Sequence, residues 1–185
     1  MNAIILAAGK GERLKPLTDT VPKPLIEVSG KTLLERNINR LFESGVRNII
    51  INGSKMGEKI ELFLEKYQQS VMNIEFINEG EEPLGTAGAI FNIIDIDLIN
   101  EDQFWVINAD IMTNFSFKSI SLKPGIMGHV VLVPNPEHNP NGDFVLMEIE
   151  LPFLIISDIL SVESVSFLST VSNSHLRGIF HWQIY

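Results

Sequence analysis

The chain has 185 residues, 45% of them hydrophobic, which suffices for one folded domain with a substantial core. Its 23 acidic and 14 basic residues leave a formal charge of −9, which argues against a nucleic-acid partner, since phosphate backbones call for a basic face. Cysteine is absent, which excludes a disulfide framework and a thiolate metal site.

Residues Ala3–Ala8 form an unbroken apolar run and read as a buried strand that feeds a glycine loop. Thr32 is placed to cap a helix running through about Ser44, with Glu35 three residues on completing a capping box. Leu33, Leu34, Ile38, Leu41 and Phe42 recur at helical spacing as its apolar face, and Gly45 ends it. Val46–Asn52 is the next buried strand. Ile60, Leu62, Phe63, Leu64 and Tyr67 mark a second amphipathic helix, and Asn73–Ile77 a third strand. A loop, Asn78–Gly85, leads into a short helix through Ile94, followed by strands at Phe104–Asn108 and His129–Pro134. Strands alternating with helices predict an α/β domain with a largely parallel sheet.

The composition shifts after Phe144, where the chain becomes rich in Ser, Ile, Leu and Val with Arg177 and Gly178 as exceptions. No strand or helix pattern emerges there, so residues 1–144 are expected to form a core and 145–185 an atypical tail. Its most apolar stretch, Leu151–Leu160, is short and broken by Pro152, Ser157 and Asp158, which argues against a membrane span. With no charged leader ahead of a cleavable apolar segment, the expected compartment is the cytoplasm. The oligomeric state is not legible.

The chemistry concentrates in residues 6–25. Gly9 and Gly11 carry no Cβ, so the backbone can turn sharply and offer N–H groups to phosphate oxygens. Arg13 suits bidentate contact with phosphate, and Lys23 brings a mobile point charge. A dinucleotide fingerprint would want glycine where Leu14 stands, and a Walker-type loop ending at Gly30-Lys31-Thr32 would want it at Leu25. A plain glycine turn accounts for Gly9 and Gly11 but leaves Arg13, Pro16 and Lys23 without a purpose. Further along, Gly85 and Thr86 open a helix whose N–H groups favour an electron-rich partner, although an ordinary helix start reads the same way. Asp110 follows the strand that ends in Asn108, the position where open α/β sheets bind ligands; a turn cap is the plain alternative. The four histidines show no metal-ligand spacing, and Trp105 reads as core.

The span Leu6–Thr18 followed by Pro22–Leu25 resembles the signature of the sugar-1-phosphate nucleotidyltransferases, roughly L-A-A/G-G-x-G-x-R-L/M-x-P-L-T and then P-K-P-L/M. The resemblance implies a single Rossmann-like three-layer α/β sandwich with a mostly parallel mixed sheet, the nucleotide-diphospho-sugar transferase type. It implies attack of a sugar 1-phosphate on the α-phosphorus of a nucleoside triphosphate, with release of pyrophosphate. Arg13 and Lys23 would be catalytic, and Leu6, Ala8, Gly9, Gly11, Glu12, Arg13, Lys23, Gly85, Thr86 and Asn108 would bind the nucleotide. Asp110 would hold Mg²⁺. The stretch Leu132–Phe144 is similar to the branch that uridylates N-acetylmuramate 1-phosphate in cell-wall recycling, with V-x-N-P-x-H-x-x-x-G-D-F, and places Gly142 and Asp143 at the sugar. UTP is accordingly the expected nucleotide.

The resemblance covers about residues 1–144. The family continues to W-x-D-V/I-G-T, whose aspartate is a second metal ligand, whereas this chain reads Trp182-Gln-Ile-Tyr185. The expectation is therefore an enzyme by lineage with weak or no turnover. The alternatives are a catalytically impaired nucleotide-binding remnant and a mannose- or glucose-1-phosphate nucleotidyltransferase. A metal-dependent glycosyltransferase would want a D-x-D pair, which Asp110-Ile111-Met112 lacks.

Overall fold

The computed structural model describes residues 1–67, 71–99, 101, 103–118, 128–132, 140, 153–157 and 169–172. The sheet begins with β1 (Asn2–Leu6), and the glycine loop runs from its end into two short 3-10 turns, Glu12–Leu14 and Leu17–Asp19. A third such turn, Lys23–Leu25, leads to a small hairpin of β2 (Glu27–Val28) and β3 (Lys31–Thr32). Then come α1 (Leu33–Glu43), β4 (Asn48–Gly53), α2 (Gly57–Leu64), β5 (Asn73–Asn78), α3 (Gly85–Asp95) and β6 (Gln103–Asn108). β7 (Gly128–Leu132), β8 (Phe153–Ser157) and β9 (Ser169–Ser172) complete the described strands.

The strands form one sheet in the order β5-β4-β1-β6-β9-β7-β8. β1 pairs in parallel with both β4 and β6, β4 with β5, and β7 with β8; β9 runs antiparallel to β6 and β7. The sheet is thus mixed but mostly parallel. Side-chain alternation divides it between two cores. Ala3, Ile5, Ile49, Ile51, Trp105 and Ile107 pack with Leu34, Ile38 and Leu41 of α1 and Ile60 and Leu64 of α2. Ile4, Ile50, Phe104 and Val106 pack on the opposite face with Ile93 and Ile94 of α3. Helices on both faces give three layers, and burial on both faces explains why these strands are continuously apolar.

Two local expectations need correction. Thr32 does cap α1, its Oγ1 accepting from Glu35 N–H at 3.0 Å, but the Glu35 carboxylate pairs with Lys66 at 3.0 Å in place of closing a capping box. Leu62 lies on α2 as expected and is 65% exposed, because the inward face of that helix is carried by Ile60 and Leu64 one turn apart. After Phe144, where no strand pattern was legible, β8 and β9 join the main sheet through β7 and β6. The rest of the 145–185 segment, including Asp158 and Trp182–Tyr185, lies outside the described residues. No helix among the described residues is long and apolar enough to cross a membrane.

Candidate functional site

β1 lies between β4 and β6, and the chain steps outward through β4 to β5 before returning to add β6 on the other side. The connections leaving the carboxyl ends of neighbouring strands therefore diverge there, and open α/β sheets hold ligands in such a crevice. A cleft of about 280 Å³ occupies that position, lined by Leu6, Ala7, Ala8 and Gly9 after β1, Asn52 at the end of β4, and Asn108, Ala109 and Asp110 after β6. Lys23, Pro24, Pro83, Gly85 and Thr86 complete the lining.

Each wall is held by identifiable bonds. Ala109 N–H donates to the Leu6 carbonyl at 2.9 Å, tying the end of β6 to the end of β1. Ser54 Oγ donates to the Ala8 carbonyl at 2.7 Å, and Ala7 N–H donates to Asn52 Oδ1 at 2.8 Å. The turn carrying Asp110 is gripped from α1. Asn37, only 2% exposed, donates through Nδ2 to the carbonyls of Leu33 (3.1 Å), Ala109 (3.0 Å) and Ile111 (3.2 Å). Beyond that turn, Phe115 and Phe117 pack edge-on against Trp105, which confirms Trp105 as core and anchors the segment to the sheet.

The Asp110 carboxylate forms an ion pair with Lys23 Nζ, and both side chains are about one quarter exposed (26% and 27%) toward the cleft. A second cleft of about 200 Å³ adjoins the first at Gly9 and contains Glu12, Lys10, Lys15, Thr18 and Lys55. Its charges are largely matched: Lys15 pairs with Glu12 at 2.5 Å and Lys10 with Glu82 at 2.6 Å. The Lys15 hydrogen bond and charge hold the Glu12 carboxyl below its ordinary value, and the same contact raises the Lys15 ammonium. Arg13 sits on the exposed Glu12–Leu14 turn and lines neither cleft.

The two glycines of the loop differ in kind. Gly11 adopts φ 66°, its carbonyl accepts from Thr18 Oγ1 at 2.8 Å, and a Cβ there would lie 2.9 Å from Thr18 Cγ2. Its lack of a side chain serves the turn. At Gly9 a Cβ would meet nothing within 4 Å, because it would project into open space beside the cleft. Gly85 opens α3 at φ 74°.

The structure thus gathers Leu6, Ala8, Gly9, Lys23, Gly85, Thr86, Asn108 and Asp110 around one cleft, places Glu12 in its neighbour, and leaves Gly11 and Arg13 outside both. Gly142 and Asp143 lie outside the described residues. Asn37, Asn52 and Glu79 escaped the sequence reading. For Asn37 and Asn52 the one signal is a polar side chain beside apolar neighbours on a helix face or at a strand end; Glu79, in the polar loop after Asn78, offers none. Among the described residues no group of three or more His, Asp and Glu converges as a metal cluster. Asp110 is a single carboxylate in the first cleft, which suits a hard cation that takes its other ligands from phosphate and water.

A sequence profile described as "Nucleotidyl transferase" matches residues 2–141. The chain belongs to this family. It is 41% identical over 152 residues to the N-acetylmuramate alpha-1-phosphate uridylyltransferase of Neisseria meningitidis serogroup B, covering 80% of this chain and 65% of that protein. It is 33% identical over 152 residues to the mannose-1-phosphate guanylyltransferase catalytic subunit beta of Danio rerio, covering 82% of this chain and 39% of the relative. The chain therefore spans less than two thirds of the length of either relative. Among solved structures, HddC from Yersinia pseudotuberculosis complexed with GMP-PN is similar at a TM-score of 0.70 and 26% identity, covering 97% of this chain and 80% of HddC. The three-layer fold expected of this nucleotidyltransferase family is the fold observed.

Proposed function

We propose that this member of the nucleotidyl transferase family binds a nucleoside triphosphate in the first cleft and transfers its nucleoside monophosphate to a sugar 1-phosphate. The observation that carries the reading is the Lys23–Asp110 ion pair at the carboxyl end of β6, in a cleft that Gly9, Gly85 and Thr86 also line. A cation and a carboxylate side by side suit a reaction whose charge is spread over phosphate oxygens.

The α-phosphorus gains a bond to the sugar phosphate oxygen and loses its bond to pyrophosphate, so no covalent enzyme intermediate is required. Lys23 neutralises phosphate oxygens at the reacting phosphorus. The backbone around Gly9 admits the polyphosphate because no side chain stands there. Arg13, carried on an exposed turn and without an ion pair among the described residues, swings its long side chain onto the leaving pyrophosphate. Gly85 and Thr86, at the start of α3, lie against the base, and Leu6, Ala8 and Asn108 line the floor. Asp110 would hold Mg²⁺, which would supply further charge neutralisation on the phosphates. Gly142 and Asp143 are assigned to the sugar by motif alone.

For substrates we favour UTP and N-acetylmuramate 1-phosphate, which would place the reaction in cell-wall sugar recycling in the cytoplasm. The similarity to the Neisseria meningitidis uridylyltransferase supports this choice. A guanine nucleotide with mannose 1-phosphate is the second reading, supported by the Danio rerio relative and by the GMP-PN complex of HddC. Pyrophosphate release, assayed with each triphosphate and each sugar phosphate in turn, tests the proposal. Release with UTP and N-acetylmuramate 1-phosphate is expected. Faster release with GTP and mannose 1-phosphate would move the protein to the second reading, and nucleotide binding without release under any pairing would leave an impaired remnant.

A further inference from the structure

Three hydrogen bonds link the glycine loop to the start of α3. Ala7 N–H, at the start of the glycine loop, donates to Asn52 Oδ1 at 2.8 Å. Asn52 Nδ2 donates to Glu79 Oε1 at 2.8 Å, and Leu84 N–H donates to Glu79 Oε2 at 2.9 Å. Leu84 immediately precedes Gly85 and the start of α3. Asn52 is 2% exposed and lines the cleft floor. Both functional ends of its amide are used, as are both oxygens of Glu79.

We infer that Asn52 and Glu79 are positioning residues that set the glycine loop and the start of α3 at the separation a bound nucleoside triphosphate requires. The inference rests on the nucleotide-binding reading of the cleft. Phosphates would lie against the loop after Ala7 and the base against Gly85, so one ligand touches both ends of this chain of bonds. A ligand held at two ends binds well only if the ends are already spaced for it.

The bond pattern dictates the residue types. Both outer partners are backbone N–H donors, so the two side chains between them must present an acceptor at each end and one donor–acceptor contact in the middle. An amide beside a carboxylate is the pair that satisfies this, in either order. Two amides or two carboxylates leave a group unmatched. The Lys10–Glu82 ion pair joins the same two segments, but Glu82 is 82% exposed, and a solvated pair of that kind holds a loop weakly.

The test uses the full chain and three variants, N52D, E79Q and the double N52D/E79Q, each titrated calorimetrically with UTP and with inorganic triphosphate in the presence of Mg²⁺. Each single variant juxtaposes two like groups and breaks the chain of bonds. The expected result is UTP affinity at least about tenfold weaker in each single variant, with inorganic triphosphate binding unchanged in E79Q, which adds no negative charge to the cleft and leaves the loop intact. In the double variant the introduced carboxylate accepts from Ala7 N–H, and the introduced amide donates to it while accepting from Leu84 N–H. UTP affinity is expected to return to within about threefold of the original chain.

Single variants that bind UTP as the original does would overturn the inference. So would a double variant no better than either single one, or a loss of inorganic triphosphate binding by E79Q in proportion to UTP, since that pattern means the loop has collapsed. A failure of the unsubstituted chain to bind UTP or any other triphosphate would overturn the nucleotide reading itself, and this inference with it.

Discussion

Lys23 and Asp110 stand 87 positions apart in the chain, and their side chains meet as an ion pair inside the cleft. The short turn at Lys23–Leu25 delivers the cation, and the end of β6, gripped by Asn37, delivers the carboxylate. Either charge alone at this depth would be poorly solvated; together they keep two reactive groups ready where phosphate would bind.

Asp110→Asn keeps the shape of the side chain and removes its charge. In calorimetric titrations of the original chain, Mg²⁺ is expected to strengthen UTP binding relative to EDTA. In the variant that gain should disappear, and pyrophosphate release should fall on the order of 10²-fold or more. A variant that keeps its full Mg²⁺ response would show that Asp110 does not hold the ion.

Arg13→Ala tests the residue that the structure leaves outside both clefts. Charge-assisted hydrogen bonds to phosphate contribute about 1.5–3 kcal/mol, so UTP affinity should weaken roughly tenfold or more, with no change in melting temperature. Unchanged affinity would mean that Arg13 stays on the surface when nucleotide binds.

Gly9→Ala and Gly11→Ala should separate binding from folding. At Gly11 the backbone is left-handed and Thr18 crowds the new methyl group, so stability should fall by about 1 kcal/mol or more. At Gly9 the methyl group has room in the protein but stands where phosphate would approach. Its melting temperature should hold while its affinity for inorganic triphosphate drops. Equal thermal shifts for the two would contradict the assignment.

Asn37→Ala removes a buried amide that holds the carbonyls on either side of Asp110. Leaving those acceptors unsatisfied costs about 1–3 kcal/mol, measurable as a lowered urea midpoint. Asn37→Asp should do worse than alanine, because a carboxylate placed against three carbonyl oxygens is repelled. An aspartate variant as stable as the original would refute the contact.

Burial and the nearby Glu35 carboxylate push the Tyr67 phenol up from 10.0 to about 12. The folded state then holds the proton more tightly than the unfolded chain does. That contribution to stability is intact below pH 10 and is lost as pH rises through about 12. An ultraviolet titration should show one late-ionising tyrosine, and Tyr67→Phe should abolish that step. A single ionisation near pH 10 for both tyrosines would show that the ring is solvated.

Much of this protein was determined by local sequence. Continuous, β-branched-rich apolar runs at Ile4–Leu6, Ile49–Ile51 and Phe104–Ile107, each bounded by turn residues, read as strands buried on both faces, and helical spacing at Leu34, Ile38 and Leu41 places α1 against them. The glycine loop and Asp110 were legible for the same reason, since loop conformation and strand-end position are local properties. The tertiary structure alone decided what lies across the cleft from what. Nothing in the spacing pairs Lys23 with Asp110, or hands Asn37 the carbonyls of Ala109 and Ile111, because those contacts bridge elements far apart in the chain. The Asn52–Glu79 chain of bonds was hidden for a related reason: an asparagine ending a strand and a glutamate in a loop are ordinary locally. Strand β9 was unreadable because its short Ser-, Thr- and Val-containing segment is specified by the neighbours it pairs with, β6 and β7, more than by any periodicity of its own, whereas β8, Phe153–Ser157, is a short apolar run of the same kind as β1 and β4.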